Sequence, residues 1–158
     1  MTFVAHFTDE FRADDAFNYC KPVAKLPSDR TALLKAAVES KGKFFLGTDS
    51  APHDVSAKKS GTGKTAAGVF TQPYATQLVF GALEVAIEKG VLSEEEISEE
   101  ALKGFLSGYG RKFYGIGESG EKIVVKKGDE VTLDMVKGEG VAVVPFRRGE
   151  SSWSVEWK

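Results

Sequence analysis

Asp49 stands directly behind an apolar run, Phe44-Phe45-Leu46-Gly47, and is followed by Ser50-Ala51-Pro52-His53. A carboxylate at the carboxyl end of a barrel strand can ligate a metal and accept a proton from bound water. A histidine four residues on could hold a substrate carboxylate. The same residues also suit a plainer role, in which Asp49 caps the following turn and His53 lies on the surface. Spacing alone leaves both readings open.

Three other features suggest chemistry less well. Gly63-Lys64-Thr65 has the ending of a phosphate-binding P-loop, but that motif requires glycine where this chain has Lys58, so nucleotide binding is rejected. Cys20 has no histidine placed to activate it, and a buried inert thiol is the commoner case. The acidic run Glu94-Glu95-Glu96 with Glu99-Glu100 reads as a solvated helix face.

The elements that would position Asp49 and His53 follow from periodicity. Leu33, Leu34, Ala37 and Val38 recur at helical spacing between Ser28, a candidate cap, and Gly42. Residues 44–49 then suit a short strand buried on both faces, so helix followed by strand implies an α/β layer. Residues 53–68, rich in Lys, Ser, Gly and Thr and without period, read as a long mobile loop of the kind that carries function. A second helix is expected over residues 74–89, its apolar side formed by Leu78, Val79, Leu83, Val85, Ala86 and Ile87, with Gly90 as its stop. Ser93 and Glu96 have capping-box spacing, and a further helix carrying Leu102, Phe105 and Leu106 should end near Gly108 or Gly110. Short strands are expected at 123–125, 131–133, 141–144 and 153–157.

The 158 residues, 42% of them hydrophobic, fit one domain with a real core. The 21 basic and 23 acidic side chains form no long stripe of one sign, which argues against nucleic acid as a partner. A single cysteine forms no internal disulfide, and no charged start with a long apolar run suggests export or a membrane span. A cytoplasmic protein is expected.

A resemblance sharpens this reading. Phe45-Leu46-Gly47-Thr48-Asp49-Ser50-Ala51-Pro52-His53 resembles the hallmark segment of homodimeric-type dihydroorotases. Asn18-Tyr19-Cys20-Lys21-Pro22-Val23-Ala24-Lys25-Leu26-Pro27 resembles the strand and loop before it. Residues 110–116, Val144-Pro145-Phe146 and Trp153-Ser154-Val155 resemble the family's ending. These blocks occur in the family's order, cover nearly the whole chain, and are closest in wording to fungal members.

The resemblance implies an α/β fold equivalent to the last strands and helices of a (β/α)8 TIM barrel, here residues 1–117, followed by a small β-rich tail over 118–158. The family interconverts carbamoyl aspartate and dihydroorotate in pyrimidine biosynthesis, using two zinc ions. Carried over residue by residue, Asp49 matches the aspartate that binds metal and shuttles the proton, and His53 matches a contact to the substrate carboxylate. Lys21 matches a backbone contact to the pyrimidine ring, and Ala67 a backbone contact to the substrate carboxylate. His6 loosely matches the last metal histidine. The family's cysteine-rich loop wording is replaced here by Gly61-Thr62-Gly63-Lys64-Thr65.

The family also needs a His-x-His pair, a carboxylated lysine and two further histidines, whereas this chain has two histidines in all. Stable zinc binding and independent catalysis are therefore not expected. The chain would act as a dihydroorotase-derived segment needing the rest of the barrel, or as a non-enzymatic binding module with loop 58–66 as its surface. Open strand edges and apolar faces lead to an expected homo-oligomer.

Overall fold

The computed structural model describes residues 2–3, 15–21, 26–39, 41–59 and 61–158. Strand β1 (Thr2–Phe3) pairs in parallel with β2 (Leu46–Gly47), Thr2 opposite Leu46 and Phe3 opposite Gly47. Single parallel bridges continue the series, Ser50 with Val69 and Phe70 with Pro145. Backbone hydrogen bonds of 2.9 Å from Ala51 N–H to Val69 and from Phe146 N–H to Phe70 fasten these runs. The chain segments near residues 2, 46–50, 69–70 and 145 thus lie side by side, an open parallel ladder rather than a closed barrel among the described residues. Phe44, Phe45 and Leu46 are half-buried rather than buried on both faces as expected; Phe45 packs against Phe113 and Tyr114, which are themselves exposed.

Helices α1 (Pro27–Glu39) and α3 (Ala75–Glu88) supply the core. Leu34 and Ala37 of α1 meet Leu78, Val79, Ala82, Leu83 and Ala86 of α3, with Cys20, Val69, Leu92, Phe105 and Phe146 completing one buried cluster. Pro27, not Ser28, opens α1. Its ring presets the first helical turn, and the Asp29 carboxylate accepts the Leu26 N–H at 2.9 Å. Helix α3 follows a 3-10 turn (Gln72–Tyr74) and stops as expected at Gly90. There φ is +66°, and the Gly90 and Val91 amides donate back to Ile87 and Ala86 at 2.9 and 2.8 Å.

The expected loop at 53–68 contains a short helix, α2 (Val55–Lys58), started by Asp54. Glu96 accepts the Ser93 N–H at 2.6 Å as its spacing suggested, but this closes a single 3-10 turn (Glu94–Glu96). Ser98 caps the true helix, α4 (Glu99–Lys103), by accepting the Ala101 N–H. Neither Gly108 nor Gly110 ends it. The chain passes through a π turn (Gly104–Gly108) into α5 (Tyr109–Tyr114) and stops at Gly115, whose φ is +66°. Gly104 and Gly110 instead admit aromatic rings: a Cβ on Gly104 would lie 2.2 Å from the Tyr109 ring, and one on Gly110 3.3 Å from that of Phe45.

The carboxyl-terminal region forms two antiparallel pairs. Strand β3 (Ile123–Val131) pairs with β6 (Ser151–Trp157), and β4 (Val136–Gly138) with β5 (Val141–Val143). The strand expected at 131–133 is the end of β3, and β4 was not expected. Trp153 packs on Phe80 of α3 with ring centroids 5.2 Å apart, and Phe146 enters the main core. No helix among the described residues is long and apolar enough to cross a membrane.

Candidate functional site

Ser50 and Thr71 fasten the end of the β2 run. Thr71, fully buried, donates its hydroxyl to the Thr48 carbonyl at 2.8 Å, while Ser50 Oγ accepts the Thr71 and Gln72 amides at 3.3 and 3.2 Å. Between these anchors Asp49 is exposed and has φ +45°, a left-handed conformation that Asp tolerates better than most residues. Its side chain is therefore placed where it can meet a molecule in solvent. It also lies within electrostatic reach of Cys20: burial pushes that thiol up, the Asp49 charge adds to the effect, and Lys58 opposes it. A thiol held protonated in this way is a poor nucleophile, in keeping with the inert role expected for it.

His53 and Ala67 are brought together across the loop. Nε2 of His53 lies 3.0 Å from the Ala67 carbonyl oxygen. A proton on Nε2 donates to that oxygen, which leaves Nδ1 to accept, or to donate when the ring is charged. Gly68, the next residue, approaches Ala51 so closely that a Cβ would sit 2.3 Å from the Ala51 carbonyl oxygen. Lys21 is exposed beside buried Cys20, and among the described residues no hydrogen bond ties it to the His53–Ala67 pair. His6 lies outside the described residues.

Sequence reasoning missed two residues that shape this loop. Asp54 Oδ1 accepts the Ser56 N–H and hydroxyl at 2.8 and 2.6 Å, and Oδ2 accepts the Ala142 N–H at 2.9 Å. The Ala142 amide first, then Ser56, holds its carboxyl down at about 2. Asp54 with Ser56 two residues on is a recognisable cap pattern, though the link to Ala142 is not written in it. Lys58 is the second. It is 3% exposed, and its ammonium donates to the carbonyls of Tyr19, Ala66 and Gly68 at 3.0, 2.9 and 2.8 Å. No local signal separates it from its exposed neighbour Lys59.

Zinc requires three or four His, Cys, Asp or Glu donors converging at about 2.0–2.3 Å. Among the described residues no group of three or more such side chains is close enough to hold a metal. The described donors do not fit a zinc pair.

Parallel runs alternating with helices, with a carboxylate and a histidine at the carboxyl end of one run, define the class: an α/β layer of the kind found in barrel enzymes. Relatives place it further. The chain is 38% identical to the dihydroorotase of Saccharomyces cerevisiae over 152 residues, covering 92% of this chain and 39% of the yeast protein. It is 39% identical to a probable dihydroorotase of Schizosaccharomyces pombe, covering 99% of this chain and 44% of that protein. It superposes with a TM-score of 0.81 on the crystal structure of the Saccharomyces cerevisiae dihydroorotase in complex with 5-fluoroorotic acid, at 35% identity over 99% of this chain and 42% of that one. No protein-family model matches it. The chain belongs to the dihydroorotase family and corresponds to the carboxy-terminal part of its members, spanning about two fifths of their length.

Proposed function

We propose that the chain supplies the proton-transfer and substrate-recognition end of a dihydroorotase, which interconverts carbamoyl aspartate and dihydroorotate in pyrimidine biosynthesis. In this reading its parallel runs and helices are the last ones of a (β/α)8 barrel, followed by a β-rich tail. Asp49 is the proton-transfer carboxylate. His53 and Ala67 contact the substrate carboxylate, and the Lys21 backbone contacts the pyrimidine ring. The observation that carries the reading is the His53–Ala67 contact of 3.0 Å on the loop that follows Asp49.

Charge on His53 would attract a substrate carboxylate to Nδ1 while Nε2 stays anchored on Ala67. Asp49, exposed in its turn, can exchange a proton with a molecule bound there. In a complete barrel, zinc would be held by Asp49 and His6 together with donors from outside these residues, and would supply Lewis-acid activation of water. The chain alone is therefore proposed to be inactive.

The thin donor set favours a second reading, a non-enzymatic binding module. Metal analysis after dialysis separates the two, together with turnover of dihydroorotate by the chain alone and mixed with the remainder of a dihydroorotase barrel. The expected result is less than two zinc ions per isolated chain, no turnover alone, and turnover in the mixture that Asp49→Asn abolishes. Failure of the mixture with intact Asp49 would support the binding module instead.

Self-association is proposed through the aromatic cluster of Phe45, Phe113 and Tyr114, whose ring centroids lie 5.0–5.9 Å apart. Phe113, Tyr114 and the neighbouring Ile116 are 71%, 61% and 57% exposed, the density of apolar surface that marks an interaction site. Sedimentation at low micromolar concentration should show a dimer or larger species that Phe113→Ser with Tyr114→Ser converts to monomer. A wild-type monomer would refute it.

A further inference from the structure

Lys58 is unusual in lying almost wholly out of solvent in a loop otherwise rich in exposed polar residues. An ammonium has three N–H donors, and here each has a separate main-chain carbonyl: Tyr19, 39 residues away, Ala66, eight away, and Gly68, ten away. The same peptides are tied again by Gly68 N–H to Tyr19 O at 3.0 Å and Ala66 N–H to Ala57 O at 3.2 Å. The residue enclosed by the acceptors, Ala67, is the one whose carbonyl receives His53. Lys58 therefore holds both flanks of Ala67 and fixes them to the segment that leads into Cys20 and Lys21.

We infer that Lys58 is the positioning residue of this site, a tethered cation that gathers the carbonyls of Tyr19, Ala66 and Gly68 and so sets the His53–Ala67 pair in register with Lys21 for an anionic substrate. The inference rests on the proposed reading of His53 and Ala67 as the substrate-carboxylate contact. Lys58 itself touches no substrate, since its three donors are already engaged. Burial pushes its ammonium pKa down, opposed first by Cys20 and then by Asp15. Removing the charge leaves three carbonyls facing one another around the vacated space, with like dipoles that push the loop open.

The test uses the full chain with Lys58→Met, which keeps the length of the apolar stem and removes the donors. Three quantities are read by NMR: amide exchange at Gly68, the His53 Nε2–H resonance, and titration with dihydroorotate. Gly68 exchange should speed at least about tenfold, the His53 signal should be lost to solvent exchange, and dihydroorotate affinity should fall about tenfold or more, while amides of α3 keep their protection. If Lys58→Met loosens α3 as well, Lys58→Ala with added n-butylammonium decides. Recovery of the His53 signal with the amine, but not with n-butanol, supports the positioning role. No recovery overturns it. Unchanged Gly68 exchange and an unchanged His53 signal in Lys58→Met also overturn the inference, whatever the ligand does. Absence of dihydroorotate binding by the wild-type chain, with the loop effects present, overturns the reading of the site and not the role of Lys58 in shaping it.

Discussion

Gly68→Ala should destabilise the fold by about 2–6 kcal/mol, adding roughly 1–3 for a strained backbone angle to roughly 1–3 for overpacking. Gly68 has φ +151°, where side-chain-bearing residues are rarely found, and a Cβ there would meet the Ala51 carbonyl oxygen at 2.3 Å, the Ala51 Cβ at 2.9 Å and His53 Cδ2 at 3.0 Å. None of these can move cheaply. The Ala51 N–H is bonded to Val69 in the parallel ladder, and the Gly68 N–H to Tyr19. The substitution therefore pries apart the ladder and displaces His53 in one step. Gly61→Ala is the matched control: its φ is +67° but no atom lies within 4 Å of the new Cβ, so only the backbone cost of about 1 kcal/mol remains. Denaturant unfolding of both variants checks this, and equal costs would mean that the close approach at Gly68 does not exist.

Phe105→Ala should cost about 3–5 kcal/mol, a large part of the roughly 5–15 kcal/mol that stabilises an ordinary domain. Phe105 is 3% exposed and belongs to the π turn joining α4 to α5. It lines one small cavity together with Leu34, Ala37 and Val38 of α1 and Val79 and Leu83 of α3, and belongs to the same buried cluster as Leu34, Ala37, Val79 and Leu83. Its removal leaves a void between three elements that cannot all close on it. Phe113→Ala, at 71% exposure eight residues further on, should be nearly neutral for folding of the single chain. A chevron or urea midpoint for each variant is sufficient. A loss below about 1 kcal/mol for Phe105→Ala would show that the segment from Glu99 to Tyr114 is not docked on the core.

What could be read from the sequence was what short-range chemistry determines. The helix over Ala75–Glu88 was legible because Leu78, Leu83 and Ala86 recur on one face and Gly90 follows them. The placement of Asp49 and His53 on a loop behind the β2 run was legible for a similar reason, and the resemblance to dihydroorotases joined Ala67 to them. What was not legible depended on distant partners. Gly108 and Gly110 looked like helix stops, yet Gly110 is there to seat Phe45, whose ring approaches from more than sixty positions away. Lys58 looked like a solvated lysine because its acceptors are main-chain carbonyls, which carry no residue type to recognise. Strand β4 escaped because Val136-Lys137-Gly138 is too short to alternate, and only its partner β5 shows it to be a strand.

The grip of Lys58 on three carbonyls also bears on how this loop can drift over generations. Main-chain oxygens are present whatever the side chains are, so the scaffold of the loop is set by one ammonium and by the backbone, not by the wording between them. Gly61, Thr62, Gly63 and Lys64 are all exposed, and added bulk at Gly61 or Gly63 would meet nothing within 4 Å. Side chains added at Gly61 or Gly63 would therefore meet only the cost of their left-handed backbone, φ +67° and +73°, and no packing barrier, so those two positions can change while Ala67 stays in place, provided the lysine persists. The Gly-Thr-Gly-Lys-Thr wording is one spelling hung from that anchor, and the anchor rather than the spelling is what the position of Ala67 depends on.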